Sequence, residues 1–280
     1  MRSTHTFPGP AWSELGSVEV APADAPGPDV DVLVVINEPV DLALYPNLRL
    51  IANYSVGYDR IGVAAAHERG VAVTNTPGVL DAATADLAMA LMLAARRGVA
   101  AGDRLVRVGG WEGLAAGREV SGATLGIVGL GRIGSAVARR AAGFDMRVLS
   151  VRRSVGDLDE VLRASDIVTL HVPLSAETRG LISRERLALL QDGATLVNTA
   201  RGDVVDEQAL VDELVSGRIN AGLDVFTHEP HVPSELWDLP NVVLTPHIGS
   251  STIETRAAMT RVVVDNVLAF VHGEPLPNPI

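Results

Sequence analysis

The chain has 280 residues, 47% of them hydrophobic and 4% aromatic, and a formal charge of −11. No apolar run reaches the roughly 20 residues that cross a bilayer, the acidic balance argues against nucleic-acid binding, and the lack of cysteine removes disulfides, iron–sulfur ligation and a thiol nucleophile. Lysine is absent as well, so all 23 residues of the Lys-plus-Arg total are arginines and no side-chain Schiff base can form.

Residues 1–29 are rich in Pro, Ala and Gly and give weak structural signals; the first ten hold no apolar stretch of the kind a secretory leader needs, and the chain reads as cytoplasmic. A β-branched apolar run at 32–36 fits a buried parallel strand. A second run, 48–54, closes on Ser55-Val56-Gly57, and a third, 71–74, ends at Asn75-Thr76-Pro77-Gly78, a strong turn signal. Asp81 can cap the helix expected over 82–97, which is apolar nearly all round and must be buried on most sides. Beyond Gly122, strands at 124–128, 147–151, 167–171, 195–198, 221–225 and 242–244 alternate with helices ending near 142 and spanning 158–163, 184–190 and 207–215. This alternation predicts an α/β fold of doubly wound parallel sheets. A last helix over 252–272 has no strand after it and is expected to cross back to the first domain.

The first strand after Gly122 runs into Gly129-Leu130-Gly131-Arg132-Ile133-Gly134. A lone glycine pattern of this kind is weak evidence, but here a strand precedes it, a helix follows, and a βαβ unit closes at 147–151. The glycines allow a tight turn and close approach to a pyrophosphate, and the helix start supplies amide donors and a favourable dipole. An NAD-binding chain usually places an acid at the end of the second strand to hold the ribose 2′-hydroxyl. This sequence reads Ser150-Val151-Arg152-Arg153-Ser154, with no acid until Asp157, which favours the 2′-phosphate of NADP over NAD. Two solvated surface arginines are the alternative.

The ordered set of motifs resembles the D-2-hydroxyacid dehydrogenase family over residues 32–258. It includes Asn75-Thr76-Pro77-Gly78 with Thr84-Ala85-Asp86-Leu87-Ala88, the strand and glycines at 124–134, and Leu170-His171-Val172-Pro173-Leu174. Asn198-Thr199-Ala200-Arg201-Gly202, Gly222-Leu223-Asp224-Val225-Phe226, Glu229-Pro230 and Leu244-Thr245-Pro246-His247-Ile248-Gly249 follow. The resemblance implies two Rossmann or flavodoxin-like domains with a cleft between them, and a homodimer. A discontinuous substrate domain is expected over 1–92 plus 252–280, with a dinucleotide-binding domain over 93–251.

The family's catalytic Arg, Glu and His match Arg201, Glu229 and His247. Reducing a 2-keto acid requires a proton donor for the ketone oxygen, and an imidazole, whose unperturbed pKa of about 6.5 lies near neutrality, suits that task. A carboxylate beside an imidazole favours its protonated form and fixes its orientation, the role assigned to Glu229. Arg201 can hold the substrate carboxylate or polarise the ketone. By the same resemblance Ser55, Val56 and Gly57 form the loop whose amides bind that carboxylate. Thr199 and Ala200 lie along the cofactor, and His171 shapes its cleft or is a core histidine. Asp224 accepts from the nicotinamide carboxamide or caps a turn.

His228, Glu229 and His231 suggest a metal only superficially, because Pro230 prevents helical pairing of ligands and no third cluster is evident. The usual opening strand and helix of the family are hard to find before Val32, so that region is expected to be trimmed or differently built. Lys near Val56, as in phosphite dehydrogenases, and Gln in place of Glu229, as in formate dehydrogenases, are both absent. The sequence thus points to an oxidoreductase that takes NADP, or else NAD, and reduces a small 2-keto acid of the glyoxylate or hydroxypyruvate type. A non-catalytic dinucleotide sensor resembling the family's corepressors, and an NAD-linked phosphoglycerate dehydrogenase, are the rivals.

Overall fold

The computed structural model describes residues 1–152 and 156–280, which separate into two compact units, Met1–Leu80 with Ser250–Ile280 and Asp81–Gly249. Both are α/β units built on wholly parallel sheets.

The first unit holds strands β1 (Arg2–Ser3), β2 (Glu19–Val20), β3 (Val32–Val35), β4 (Leu50–Asn53) and β5 (Ala72–Thr74), in the spatial order β2-β1-β3-β4-β5. That order is the flavodoxin-like doubly wound one. The opening strand and helix, expected to be trimmed or differently built, are present in shortened form, as β1, a 3-10 helix at Pro10–Leu15, and β2. Two-residue strands bury too little to hold themselves, and Arg2 supplies the tie. Its guanidinium meets Glu19 at 2.9 Å and donates to the carbonyls of Ala25 and Pro26. Strands β3 and β4 are buried along their whole length, which is why they are apolar throughout but for Asn53 at the end of β4. Helix Ile253–His272 packs on β4, capped at its start by the Thr252 hydroxyl and ended by Gly273 in the left-handed region.

The second unit contains β6 (Thr124–Val128), β7 (Arg147–Val151), β8 (Ile167–Leu170), β9 (Thr195–Asn198), β10 (Asn220–Leu223) and β11 (Val242–Leu244), ordered β11-β10-β9-β8-β6-β7. The order reverses between β6 and β8, and at such a switch point ligands bind beyond the carboxyl ends of the strands. Helix Asp81–Arg97 belongs wholly to this unit, so the first boundary lies at Leu80/Asp81 rather than 92/93, and the second at Gly249/Ser250 rather than 251/252. Its packing explains the shift. A Cβ built on Gly222 of β10 would stand 2.8 Å from the Leu91 Cβ, so the helix lies directly on the sheet. Leu91 and Met92 are fully buried there, each worth about 1.5–3 kcal/mol of transfer free energy. Among the described residues no helix is long and apolar enough to cross a membrane.

Candidate active site

The glycine turn follows β6. Gly129 has φ +100°, and a Cβ there would lie 2.6 Å from the His171 carbonyl oxygen, so no other residue fits without displacement. A Cβ on Gly134 would overlap the Gly129 carbonyl, which holds the helix Arg132–Ala141 tight against the turn. Gly131 differs, since nothing lies within 4 Å of the Cβ it lacks, and no side chain caps the helix it starts. A backbone free to be approached and a set of uncapped amides suit a pyrophosphate. Arg132 pairs with Asp81 at 3.3 Å, and Ile133 continues the first turn.

The remaining dinucleotide candidates lie at other strand ends of the same sheet. Arg152 follows β7 and is exposed, while Arg153 and Ser154 lie outside the described residues. His171 follows β8, its Nε2 2.9 Å from the Thr169 hydroxyl, and burial pushes its imidazole down to about 4, so it is neutral near pH 7. After β9, the Thr199 hydroxyl is buried with no partner among the described residues, a polar atom left for a ligand. Ala200 is fixed by its amide, which donates to Asn198. These features fit a bound dinucleotide.

The catalytic candidates come from three successive strand ends. Arg201 follows β9, is half-buried, and its Nη1 donates to the Ala200 carbonyl at 2.7 Å. Beyond β10 the chain turns through a cis Glu229–Pro230 peptide. The Phe226 amide donates to Glu229 Oε1 at 3.0 Å, leaving Oε2 for His247 Nδ1 at 2.7 Å. Burial pushes the Glu229 carboxyl up, but hydrogen bonds from His247 and the Phe226 amide, with the charges of His247 and Arg201, outweigh it and hold the pKa below the ordinary carboxylate value. An ionised carboxylate only accepts, so Nδ1 carries the proton and Nε2 is the ring nitrogen left for chemistry.

His247 follows β11 and sits at φ +53°, in the left-handed region that a side chain seldom occupies. Asp224, 1% exposed, holds it there. Its carboxylate accepts from the Thr245 hydroxyl at 2.6 Å and from the amides of Ile248 and Gly249 at 2.8 and 2.9 Å, and its carbonyl accepts the His247 amide at 2.9 Å. Burial raises the Asp224 carboxyl despite these donors. Of the two sequence readings of Asp224, this geometry matches the turn cap. Asn198 and Thr245 were not singled out from the sequence. Asn198 is buried, accepts the Ala200 amide and donates to the Arg201 carbonyl, so it sets the loop that carries Arg201. Both lie inside quoted motifs, but nothing in composition separates a residue that braces a loop from one that touches a ligand.

In the first unit, Ser55, Val56 and Gly57 form a half-buried loop directly after β4.

Residues 89–249 match the family model described as D-isomer specific 2-hydroxyacid dehydrogenase, NAD binding domain. The chain is 50% identical over 274 residues to a glyoxylate reductase of Pyrococcus furiosus, covering 89% of this chain and 82% of that one. A glyoxylate reductase structure from Paecilomyes thermophila superposes with a TM-score of 0.91 at 33% identity, over 100% of this chain and 97% of that one. The NADPH-dependent glyoxylate/hydroxypyruvate reductase of Sinorhizobium meliloti, solved with NADP and malonate, gives 0.89 at 34% identity, over 100% and 95%.

Proposed function

As this chain belongs to the D-isomer specific 2-hydroxyacid dehydrogenases, we propose that it is an NADPH-preferring reductase of glyoxylate, hydroxypyruvate or a similarly small 2-keto acid. It is an oxidoreductase, and the observation that carries the reading is the 2.7 Å pair between His247 Nδ1 and Glu229 Oε2. The nicotinamide, when bound, supplies the hydride that reaches the carbonyl carbon. His247, protonated on both nitrogens, gives the Nε2 proton to the ketone oxygen as charge develops there. Glu229 keeps Nδ1 protonated throughout and prevents the ring from turning. Arg201 offers charged donors to the ketone or carboxylate oxygens. The loop at Ser55, Val56 and Gly57 takes the substrate carboxylate through its amides.

Preference for NADPH rests on Arg152, an exposed cation at the end of β7 where NAD-binding chains place an acid. Gly129, Gly131, Ile133 and Gly134 form the pyrophosphate turn, and Thr199 offers its unpartnered hydroxyl to the cofactor. A homodimer is also part of this reading. Val99, Val106, Val108, Trp111 and Leu114 are all exposed within sixteen residues of one another, Trp111 at 85%, and such a concentration of apolar surface marks an interaction face.

The test is purified protein with NADPH or NADH and a panel of glyoxylate, hydroxypyruvate, pyruvate and longer 2-keto acids. Oxidation of NADPH fastest with the two smallest substrates is expected. No oxidation of either cofactor by any keto acid refutes the reading.

A further inference from the structure

The loop after β4 is held in an unusual way. Three successive carbonyls, those of Ser55, Val56 and Gly57, are each held by a side-chain amide. Asn53 Nδ2 donates to Ser55 O at 3.2 Å and to Gly57 O at 2.8 Å. Asn75 Nδ2 donates to Val56 O at 3.0 Å. The Thr76 amide adds a second bond to Ser55 O at 3.1 Å.

Because a trans peptide is planar, the C=O of one residue and the N–H of the next point opposite ways. Fixing those three carbonyls therefore turns the N–H groups of Val56, Gly57 and Tyr58 away from the asparagines. Among the described residues, none of the three donates a hydrogen bond to the protein. Successive free amides presented by a fixed backbone are an anion-binding arrangement. Left to itself, a short loop ending in Gly57 would sample many peptide orientations.

Both asparagines are themselves braced. Asn53 is 1% exposed at the end of β4, and its Oδ1 accepts the Asn37 amide at 2.8 Å. Asn75 directly follows β5, and its backbone N–H donates to the Asn278 carbonyl at 3.3 Å. Asn278 is locked to the buried Asn266 by two further bonds of 2.9 and 3.0 Å. The chain beyond it pairs with β5, with Thr74 bridged to Pro279 and the Ile280 amide on Val73 O. The Asn53 side chain uses both its donor and its acceptor ends, so it cannot turn without breaking a bond elsewhere, and Asn75 is held through its backbone by the Asn266–Asn278 pair.

We propose that Asn53 and Asn75 are positioning residues that preset the peptide planes of residues 55–58, and thereby set the affinity and orientation of the substrate carboxylate. The proposal deepens, and rests on, the reading of this loop as the carboxylate site. It assigns a purpose to the Asn75-Thr76-Pro77-Gly78 turn beyond ending a strand. Neither asparagine touches the substrate; each acts through backbone that does.

The test uses the full-length protein and the near-isosteric, uncharged variants Asn53→Leu and Asn75→Leu. Two quantities are measured on the NADPH complex: the Kd of oxamate, a carboxylate that is not reduced, and the glyoxylate KM and kcat. Loss of a preset geometry should raise both Kd and KM about tenfold or more, with kcat, the KM for NADPH and Tm moving far less. The ratio of kcat/KM for glyoxylate over its uncharged amide should fall with it, an effect that general loosening of the fold does not produce. Should the buried Asn53→Leu variant not fold, Asn75→Leu, at a half-exposed position, carries the test. Wild-type protein that binds oxamate and reduces glyoxylate, beside folded variants with the same constants, overturns the positioning role alone. Wild-type protein that does neither overturns the carboxylate site and the positioning role together.

Discussion

Glu229 divides its two carboxylate oxygens between jobs: Oε1 accepts from the Phe226 amide at 3.0 Å, and Oε2 accepts from His247 Nδ1 at 2.7 Å. The backbone bond anchors the acid, so the acid can orient the ring. His247 in turn is placed by Asp224, whose buried carboxylate gathers the turn behind it. The imidazole thus rests on two carboxylates with separate tasks, one ionised and facing the ring, the other buried under the turn.

Replacing Glu229 by Gln should preserve the anchor and spoil the tautomer. A glutamine oxygen can still accept from Phe226, but the amide nitrogen then faces Nδ1 as a donor. A fall in kcat of about a hundredfold is expected, with NADPH affinity little changed. Steady-state rates with glyoxylate, beside a fluorescence titration of NADPH, check this; a kcat within threefold of wild type would show that the carboxylate does not govern the ring.

The same carboxyl makes stability depend on pH. Its folded pKa is below the ordinary value of 4.5, so its contribution is fully present above that value and is lost as the pH falls through the lower folded value. Urea unfolding of wild-type and Glu229→Gln protein should therefore show a difference that is present at about pH 5 and shrinks as the pH falls below the carboxylate range. The partly exposed position makes the effect small. A difference that grows as the pH falls below about 5 would mean that the shift has the opposite sign.

Arg152→Asp exchanges the charge at the end of β7. The ratio of kcat/KM for NADPH over NADH should fall by about tenfold or more, because a carboxylate repels a 2′-phosphate and accepts from a 2′-hydroxyl. An unchanged ratio removes the main support for NADPH preference.

Two glycines of one turn should respond differently. Gly134→Ala pushes a methyl into the Gly129 carbonyl and should lower Tm by several degrees. Gly131→Ala meets nothing within 4 Å and should leave Tm unchanged, while raising the Kd for NADPH about tenfold by standing where the pyrophosphate approaches. Thermal melts with and without NADPH separate the two; equal behaviour would contradict the division of roles.

The second unit was legible because most of its strands are buried apolar runs and its catalytic candidates stand just past their ends, as Arg201 does after β9 and His247 after β11. The first unit was harder. Strands β1 and β2 have two residues each and no periodicity to read, and they are tied together by the ion pair between the facing residues Arg2 and Glu19. Helices Val63–Glu68 and Val99–Arg107 also escaped notice, the first only six residues long and the second exposing Val99 and Val106. Within the sites, acids and histidines announce themselves by type. Asn53, Asn75, Asn198 and Thr245 do not, because they bond to backbone or brace a neighbour, and such contacts leave no regular spacing in the chain.

The most direct measurement is the single-turnover rate of NADPH oxidation by glyoxylate in His247→Ala protein, with the Kd of NADPH determined on the same sample. Removal of the proton donor alone should slow oxidation by about a thousandfold while the Kd stays within a few-fold. A rate near that of the wild type would contradict proton donation by His247, and a cofactor affinity lost in step with the rate would make the imidazole part of the dinucleotide site instead.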